Sequence, residues 1–297
     1  MPAEKENNTG NNTGKPRVAI MGTKASFHEE AAFRFFGRDI QTVECGSFGA
    51  TFRAVKEKRA DYMVMAIENS IAGSILPNYS LLMEYRFGIA GEVYLPIRLH
   101  LMALPGVKMQ DLRTVISHPI ALRQCVDFFD LWPGLKIQEG SDTADCARRI
   151  RDEHLTDTAA VAGTLSAETY GLDILESRIE SGKKNYTRFL ILSESSEALN
   201  PGPNFSHTDL RPDKASLSFR VGDEIGSLAR VLNILAAKDI NLSKIQSMPV
   251  PGSPHEYNFY ADIDWESPGR FDAAMPELIR QTRNFNILGE YLKNDTI

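Results

Sequence analysis

The sequence predicts an α/β fold followed by a smaller α+β unit. Three observations carry this. Apolar runs of strand length alternate with amphipathic helical stretches over residues 18–193. A polar, proline-containing stretch at 194–213 interrupts that rhythm. After it the order becomes βαββαβ, the ferredoxin-like split unit. The 297 residues suit roughly two domains at about 150 residues each.

Residues 18–22 form a short apolar run closed by Gly22, which predicts a first strand. Ser26 stands three residues before Glu29, a capping box ahead of a helix over 27–36 with Phe27, Ala31 and Phe35 on one face. A second helix over 48–59 has Phe48, Phe52 and Val55 on its stripe and a basic end that suits the helix dipole. Residues 62–67 read as a buried strand ending at Glu68, Asn69 and Ser70. Strands follow at 99–104 and 114–117, and His118-Pro119 opens a helix with proline at its first position. The strand–helix unit repeats at 135–138 and 143–153. A strand at 159–162 precedes a short helix that Gly171 terminates. Phe189, Leu190, Ile191 and Leu192 make one more buried strand. Such alternation predicts mostly parallel sheets covered on both faces.

Beyond the break, 216–221 reads as a strand, and 227–238 as a helix with Leu228, Val231, Leu232 and Leu235 inward. Residues 241–250 are a strand. Residues 256–265 alternate, with Tyr257, Phe259, Ala261 and Ile263 on one face. A helix over 271–283 must place Pro276 near its start or at a kink, and 285–291 closes the unit as a strand.

A formal net charge of −6 offers no basic field for nucleic acid, though it leaves a small anionic substrate open. No apolar run reaches 18 residues, so no membrane span is expected. The first 16 residues have no apolar segment and read as a disordered tail, neither signal peptide nor anchor. Cys45, Cys125 and Cys146 are far apart and lack CxxC spacing. No disulfide framework or zinc site is expected, Cys125 and Cys146 read as buried thiols within apolar helical patterns, and a reducing cytoplasm is the natural setting.

Polar clusters stand at the carboxyl ends of the expected strands, which converge on one crevice in an open α/β sheet. They are residues 22–26, Glu68-Asn69-Ser70 with Gly73-Ser74, Ser117-His118, and Ser141-Asp142-Thr143. Each precedes a helix start, where free backbone N–H groups favour an anion. Helix capping competes with substrate contact for every one of them. Capping carries more weight for Ser26 and Ser141. Substrate contact carries more for residues 68–70, where three polar groups exceed one cap. His118 is a candidate general acid or a polar residue ahead of a helix, and no carboxylate partner is visible for it. Asn185-Tyr186-Thr187-Arg188-Phe189 puts a hydroxyl and a guanidinium at the head of a buried strand. Arg188 suits an internal carboxylate or a bidentate clamp on a substrate carboxylate, and its place beside Thr187 favours the clamp.

Six motifs in order resemble the prephenate dehydratase family. They are Gly22 with Ser26-Phe27, Ala60-Asp61-Tyr62, Ile67-Glu68-Asn69-Ser70 with Gly73-Ser74, Ser117-His118-Pro119, Tyr170-Gly171-Leu172, and Asn185 with Thr187-Arg188-Phe189. Together they cover nearly all of 18–193. Ala25 stands where the family usually has glycine. Residues 214–297 resemble an ACT regulatory domain: Gly226-Ser227-Leu228 matches its ligand-binding glycine turn. Gln246-Ser247-Met248-Pro249 stands where that family often has Glu-Ser-Arg-Pro, so two charges are missing.

The resemblance implies a two-lobed, periplasmic-binding-protein-like catalytic domain over 17–194. Lobe 1 takes about 17–95 plus 185–194 and lobe 2 about 96–184, with a linker at 195–213. It implies decarboxylating dehydration of prephenate to phenylpyruvate, without a cofactor because aromatisation drives the reaction. Thr187, Arg188, Asn69 and Ser70 would be catalytic: Thr187 would hydrogen-bond the leaving hydroxyl and Arg188 would balance carboxylate charge. Ser26, Glu68, Gly73, Ser74, His118, Ser141, Thr143 and Phe189 would line the substrate. Gly226, Ser227, Leu228, Gln246 and Ser247 would bind L-phenylalanine as effector between paired domains of a homodimer or homotetramer. The alternatives are arogenate dehydratase and a solute-binding protein. A fused chorismate mutase is not expected, since the stretch before Val18 is too short for a helical domain.

Overall fold

The computed structural model describes residues 14–194, 211–250, 252–253 and 255–294. The expected tail before residue 14 and the linker over 195–210 lie outside the described residues.

The first lobe is built from β1 (Arg17–Met21), α1 (Phe27–Phe36), β2 (Gln41–Cys45), α2 (Phe48–Lys56), β3 (Tyr62–Asn69), β4 (Gly73–Ser74), α3 (Leu76–Tyr85) and β5 (Gly88–Pro96). The second lobe follows with β6 (His100–Ala103), β7 (Thr114–Ser117), α4 (Pro119–Arg123), α5 (Val126–Asp130), β8 (Lys136–Glu139), α6 (Thr143–Asp152), β9 (Thr158–Ala162), α7 (Thr164–Tyr170) and β10 (Asp173–Glu176). The chain then returns to the first lobe as β11 (Tyr186–Ser193). The last domain is β12 (Lys214–Arg220), α8 (Ser227–Ala237), β13 (Asn241–Pro249), β14 (Tyr257–Asp264), α9 (Pro268–Gln281) and β15 (Arg283–Tyr291).

The strands form three sheets, ordered β2-β1-β3-β11-β5 with β4 on β3, β10-β6-β9-β7-β8, and β13-β14-β12-β15. The expectation of mostly parallel sheets needs correction. Each lobe has two parallel pairs, but β11 is antiparallel to both β3 and β5, and β6 is antiparallel to both β9 and β10. The cause is connectivity, because the lobes are joined by two crossings that leave β5 and re-enter as β11. The last sheet is wholly antiparallel. Pro276 lies inside α9.

Apolar side chains fill both faces of the central strands. Val64, Val93, Phe189 and Ile191 pack with α1, while Met63, Met65, Leu190 and Leu192 pack on the other side. That second cluster also takes in Tyr260 and Tyr291, so the last domain shares a core with lobe 1. Tyr260 donates its hydroxyl to the Tyr79 carbonyl at 3.1 Å. Gly289 fits against β5, where an added Cβ would stand 2.0 Å from the Ile89 carbonyl oxygen. The three cysteines are buried and free, and burial pushes the Cys125 thiol up to about 12 and that of Cys146 to about 11.

Candidate active site

A cleft of about 220 Å³ opens between the lobes. Ser26, Phe27, His28, Asn69, Ile97, His118, Gln124, Ser141, Asp142, Thr143, Thr187 and Phe189 are among the residues that line it. Strand pleating explains the choice of residues. In β11, Thr187 and Phe189 face the cleft while Arg188 faces away. Opposite, β3 pairs Asn69 with Thr187 and Glu68 with Arg188, and the register then shifts so that Ala66 meets Phe189. Asn69 and Thr187 therefore share the cleft wall, and Glu68 and Arg188 share the far face.

A chain of amides holds the Thr187 hydroxyl. Asn69 Nδ2 donates to Thr187 Oγ1 at 3.0 Å, to Asn185 Oδ1 at 2.7 Å and to the Tyr186 carbonyl at 3.2 Å. Asn69 Oδ1 accepts from the N–H groups of Ile71 and Ala72, which fixes its flip. Asn185 Nδ2 donates to Gln124 Oε1 of lobe 2 at 3.0 Å, so the chain spans both lobes. Because Thr187 Oγ1 accepts from Asn69, its own O–H points elsewhere. Among the described residues that proton has no acceptor. The site presents a buried, oriented hydroxyl donor to the cleft.

The loop after β1 closes the cleft against lobe 2. Ser166 Oγ donates to the Ala25 carbonyl at 3.0 Å, and Tyr170 OH to the Lys24 carbonyl at 2.7 Å. Ala25 holds φ 64, the left-handed region that glycine favours, and its methyl is buried in the lobe 2 core. The departure from the family residue is thus accommodated by packing.

Ser26 caps α1 through the Glu29 N–H at 3.4 Å and also lines the cleft. Ser141 is not the cap of α6, a correction to the expectation, and it donates to Asp145 Oδ2 at 3.0 Å. Asp142 is the cap: its Oδ1 accepts from the Ala144 N–H at 2.6 Å and from that of Asp145 at 3.4 Å. Burial raises the Asp142 pKa, and those two N–H groups oppose the rise. His118 Nδ1 accepts from the Ile120 N–H at 3.3 Å, which leaves the proton of the neutral ring on Nε2. Burial lowers its pKa. Thr143 lines the cleft at the start of α6.

Several expected contacts lie elsewhere. Arg188 is not a substrate clamp. Its Nε donates to Glu92 at 2.7 Å, Nη1 pairs with Asp262, and Nη2 donates to Tyr291 at 3.0 Å. Lys214 Nζ joins Glu92 at 2.8 Å, and the whole cluster is buried beneath the last domain. The nearby carboxylates hold the Arg188 pKa well above its ordinary value despite burial. Glu68 pairs with Lys244 at 2.8 Å, and Ser74 accepts from the same ammonium at 3.0 Å, so neither lines the cleft. Gly73 sits exposed at the hairpin turn with φ 81. Ser70 accepts from the Tyr186 N–H at 2.9 Å and donates to the Lys184 carbonyl at 3.3 Å, tying the hairpin to β11 without lining the cleft. The polar side chains of the site that the sequence reading did not single out as site residues are His28, Asn185, Gln124 and Asp142. Asp142 stands between Ser141 and Thr143, both expected at the site, so its strand-end position already pointed to it.

In the last domain, Gly226, Ser227 and Leu228 line a cavity of about 570 Å³ with Arg220, Tyr257 and Arg283. Gly226 holds φ 79 at the cap of α8. Gln246 and Ser247 lie on the edge strand β13, outside that lining.

Fold and cleft define a two-lobed protein that acts on a small molecule and carries an appended βαββαβ domain. The family model for prephenate dehydratase matches residues 18–197, and the chain belongs to that family. Arogenate dehydratase/prephenate dehydratase 1 of Arabidopsis thaliana is 38% identical over 264 residues, covering 84% of this chain and 65% of that one. The bifunctional chorismate mutase/prephenate dehydratase of Aquifex aeolicus is 34% identical over 285 residues, covering 94% and 74%. The chain thus spans about two thirds to three quarters of these relatives. Among solved structures, the prephenate dehydratase of Arthrobacter aurescens in complex with L-Phe superposes with a TM-score of 0.80 at 26% identity, over 94% of this chain and 90% of that one. GqqA, described as a novel type of quorum quenching acylase, superposes at 0.81 and 29% identity, over 94% and 98%.

Proposed function

We propose that this chain catalyses the decarboxylating dehydration of prephenate to phenylpyruvate in L-phenylalanine biosynthesis, with arogenate as the alternative substrate. The carbon–carbon bond to the ring carboxylate breaks and carbon dioxide leaves. The freed electron pair completes the aromatic ring, and the ring hydroxyl departs with one proton as water. The observation that carries this reading is the Thr187 hydroxyl, held by Asn69 at the cleft wall with no acceptor for its proton among the described residues. A threonine hydroxyl is a weak acid, so its contribution is an oriented hydrogen bond to the departing oxygen plus positioning, rather than free proton transfer. Ser26, Thr143 and the N-termini of α1 and α6 supply neutral donors for the carboxylates.

Acyl hydrolysis at Thr187 would need a base beside the hydroxyl, and its hydrogen-bond neighbour is an amide donor. The test is to mix protein with prephenate and follow phenylpyruvate absorbance. Catalytic accumulation supports the reading, whereas saturable binding without product would support a solute-binding protein.

The cavity at Gly226 is the proposed site for L-phenylalanine. The exposed edge of β13, with Ile245 at the surface, is the proposed pairing surface of a homodimer or homotetramer. Free buried thiols fit a cytoplasmic setting. No helix among the described residues is long and apolar enough to cross a membrane.

A further inference from the structure

The charge lining the cleft is unusual for a site that takes a dicarboxylate. Among the described residues that line it, none is lysine or arginine, and the one carboxylate is Asp142. Arg188, the cation nearest in sequence to Thr187, is consumed by Glu92 and Asp262 on the far face of β11. Only one oxygen of Asp142 serves as the helix cap. The other, Oδ2, has no hydrogen-bond donor among the described residues. It lies so close to Gly22 of the opposite lobe that a Cβ there would stand 2.2 Å away. A carboxylate oxygen without a donor is thus held at the seam of the two lobes, in the cleft that Thr187 faces.

Both substrates of this reaction class carry two carboxylates. They differ in the side chain, where the carbon beside the carboxylate carries a ketone in prephenate and an ammonium in arogenate. A fixed carboxylate repels the dianion with a ketone and attracts the form that carries an ammonium. We propose that Asp142 is a specificity-determining residue that reads the side-chain end of the substrate and selects the aminated form, arogenate, over prephenate. The proposal rests on the dehydratase reading above and makes arogenate, the alternative substrate there, the preferred one.

The test compares kcat/KM for arogenate and prephenate in the wild type and in Asp142→Asn. Asparagine caps a helix as well as aspartate does, so the variant keeps α6 and the fold. The expected wild-type ratio favours arogenate by about tenfold or more. The variant brings the two values within a few-fold of each other, chiefly by raising KM for arogenate and improving prephenate. Asp142→Ser, which also caps, should behave like the asparagine variant. A wild type that prefers prephenate, or an unchanged ratio in both variants, overturns the proposal while leaving the dehydratase reading intact. A wild type that turns over neither substrate overturns both.

Discussion

Thr187 and Arg188 are consecutive in β11, yet the strand turns them to opposite sides of one sheet. Thr187 Oγ1 meets Asn69 at the cleft, and the Arg188 guanidinium enters a buried cluster with Glu92, Asp262 and Tyr291. The residue that carries the hydroxyl and the residue that anchors the last domain are therefore one peptide bond apart.

Removing the anchor should cost stability first. Arg188→Met leaves Asp262 without its ion-pair partner and Glu92 with Lys214 alone, which costs about 3–5 kcal/mol. Urea unfolding of the variant should show that loss. Arg188→Lys should recover only part, because one ammonium cannot reproduce three divergent N–H contacts.

Gly289 makes the same interface close. Gly289→Ala drives a methyl into the Ile89 carbonyl, a backbone atom that cannot rotate away. Overpacking of that kind costs about 1–3 kcal/mol or more. An unchanged denaturation midpoint would contradict the close contact of β15 with β5.

Lys244 reaches from the last domain to Glu68 and Ser74, one residue from Asn69 on β3 and beside it on the hairpin. Lys244→Met should leave the fold intact and shift the L-phenylalanine concentration for half-inhibition. Coupling through such contacts is worth about 0.5–2 kcal/mol, which is a shift of roughly 2- to 30-fold. Gly226→Val should abolish inhibition by closing the cavity and straining φ 79. Dose–response curves of both variants check this pair.

His28 sets an acid limit. It is buried between Phe48 and Phe189, its Nε2 has no partner among the described residues, and burial lowers its pKa from 6.5 to about 4. On acidification the unfolded chain takes up this proton first. The stability is complete above the unfolded value of 6.5 and falls as pH drops toward about 4. The loss between pH 7 and pH 5 should be about 2 kcal/mol. His28→Phe should remove that part of the pH dependence, as unfolding free energies at the two pH values would show.

The alternation of strands and helices was legible because apolar periodicity reports burial directly. Four strands, β2, β4, β5 and β10, were not. β5 carries two glycines and a buried Glu92, so its sequence hides its burial, and β2 is a partly exposed edge strand without a clear apolar pattern. Thr187, Asn69, Ser26, His118, Ser141 and Thr143 converge at the cleft because strand ends and helix starts gather there. The far-face position of Arg188 was also within reach, because a strand that aims Thr187 and Phe189 one way must aim Arg188 the other. Its partner Asp262 was not, since it lies 74 residues away in a different sheet. The same limit hid the pairing of Lys244 with Glu68.

Turnover by Thr187→Ala is the most direct measure of the central claim. The side chain is small and sits at a cleft wall, so the variant should melt close to the wild type. Its kcat should fall by about 100-fold or more, as expected for loss of an oriented donor to the leaving group, while Thr187→Ser keeps a substantial part. An alanine variant that folds and retains wild-type kcat would show that the hydroxyl held by Asn69 takes no part in the reaction.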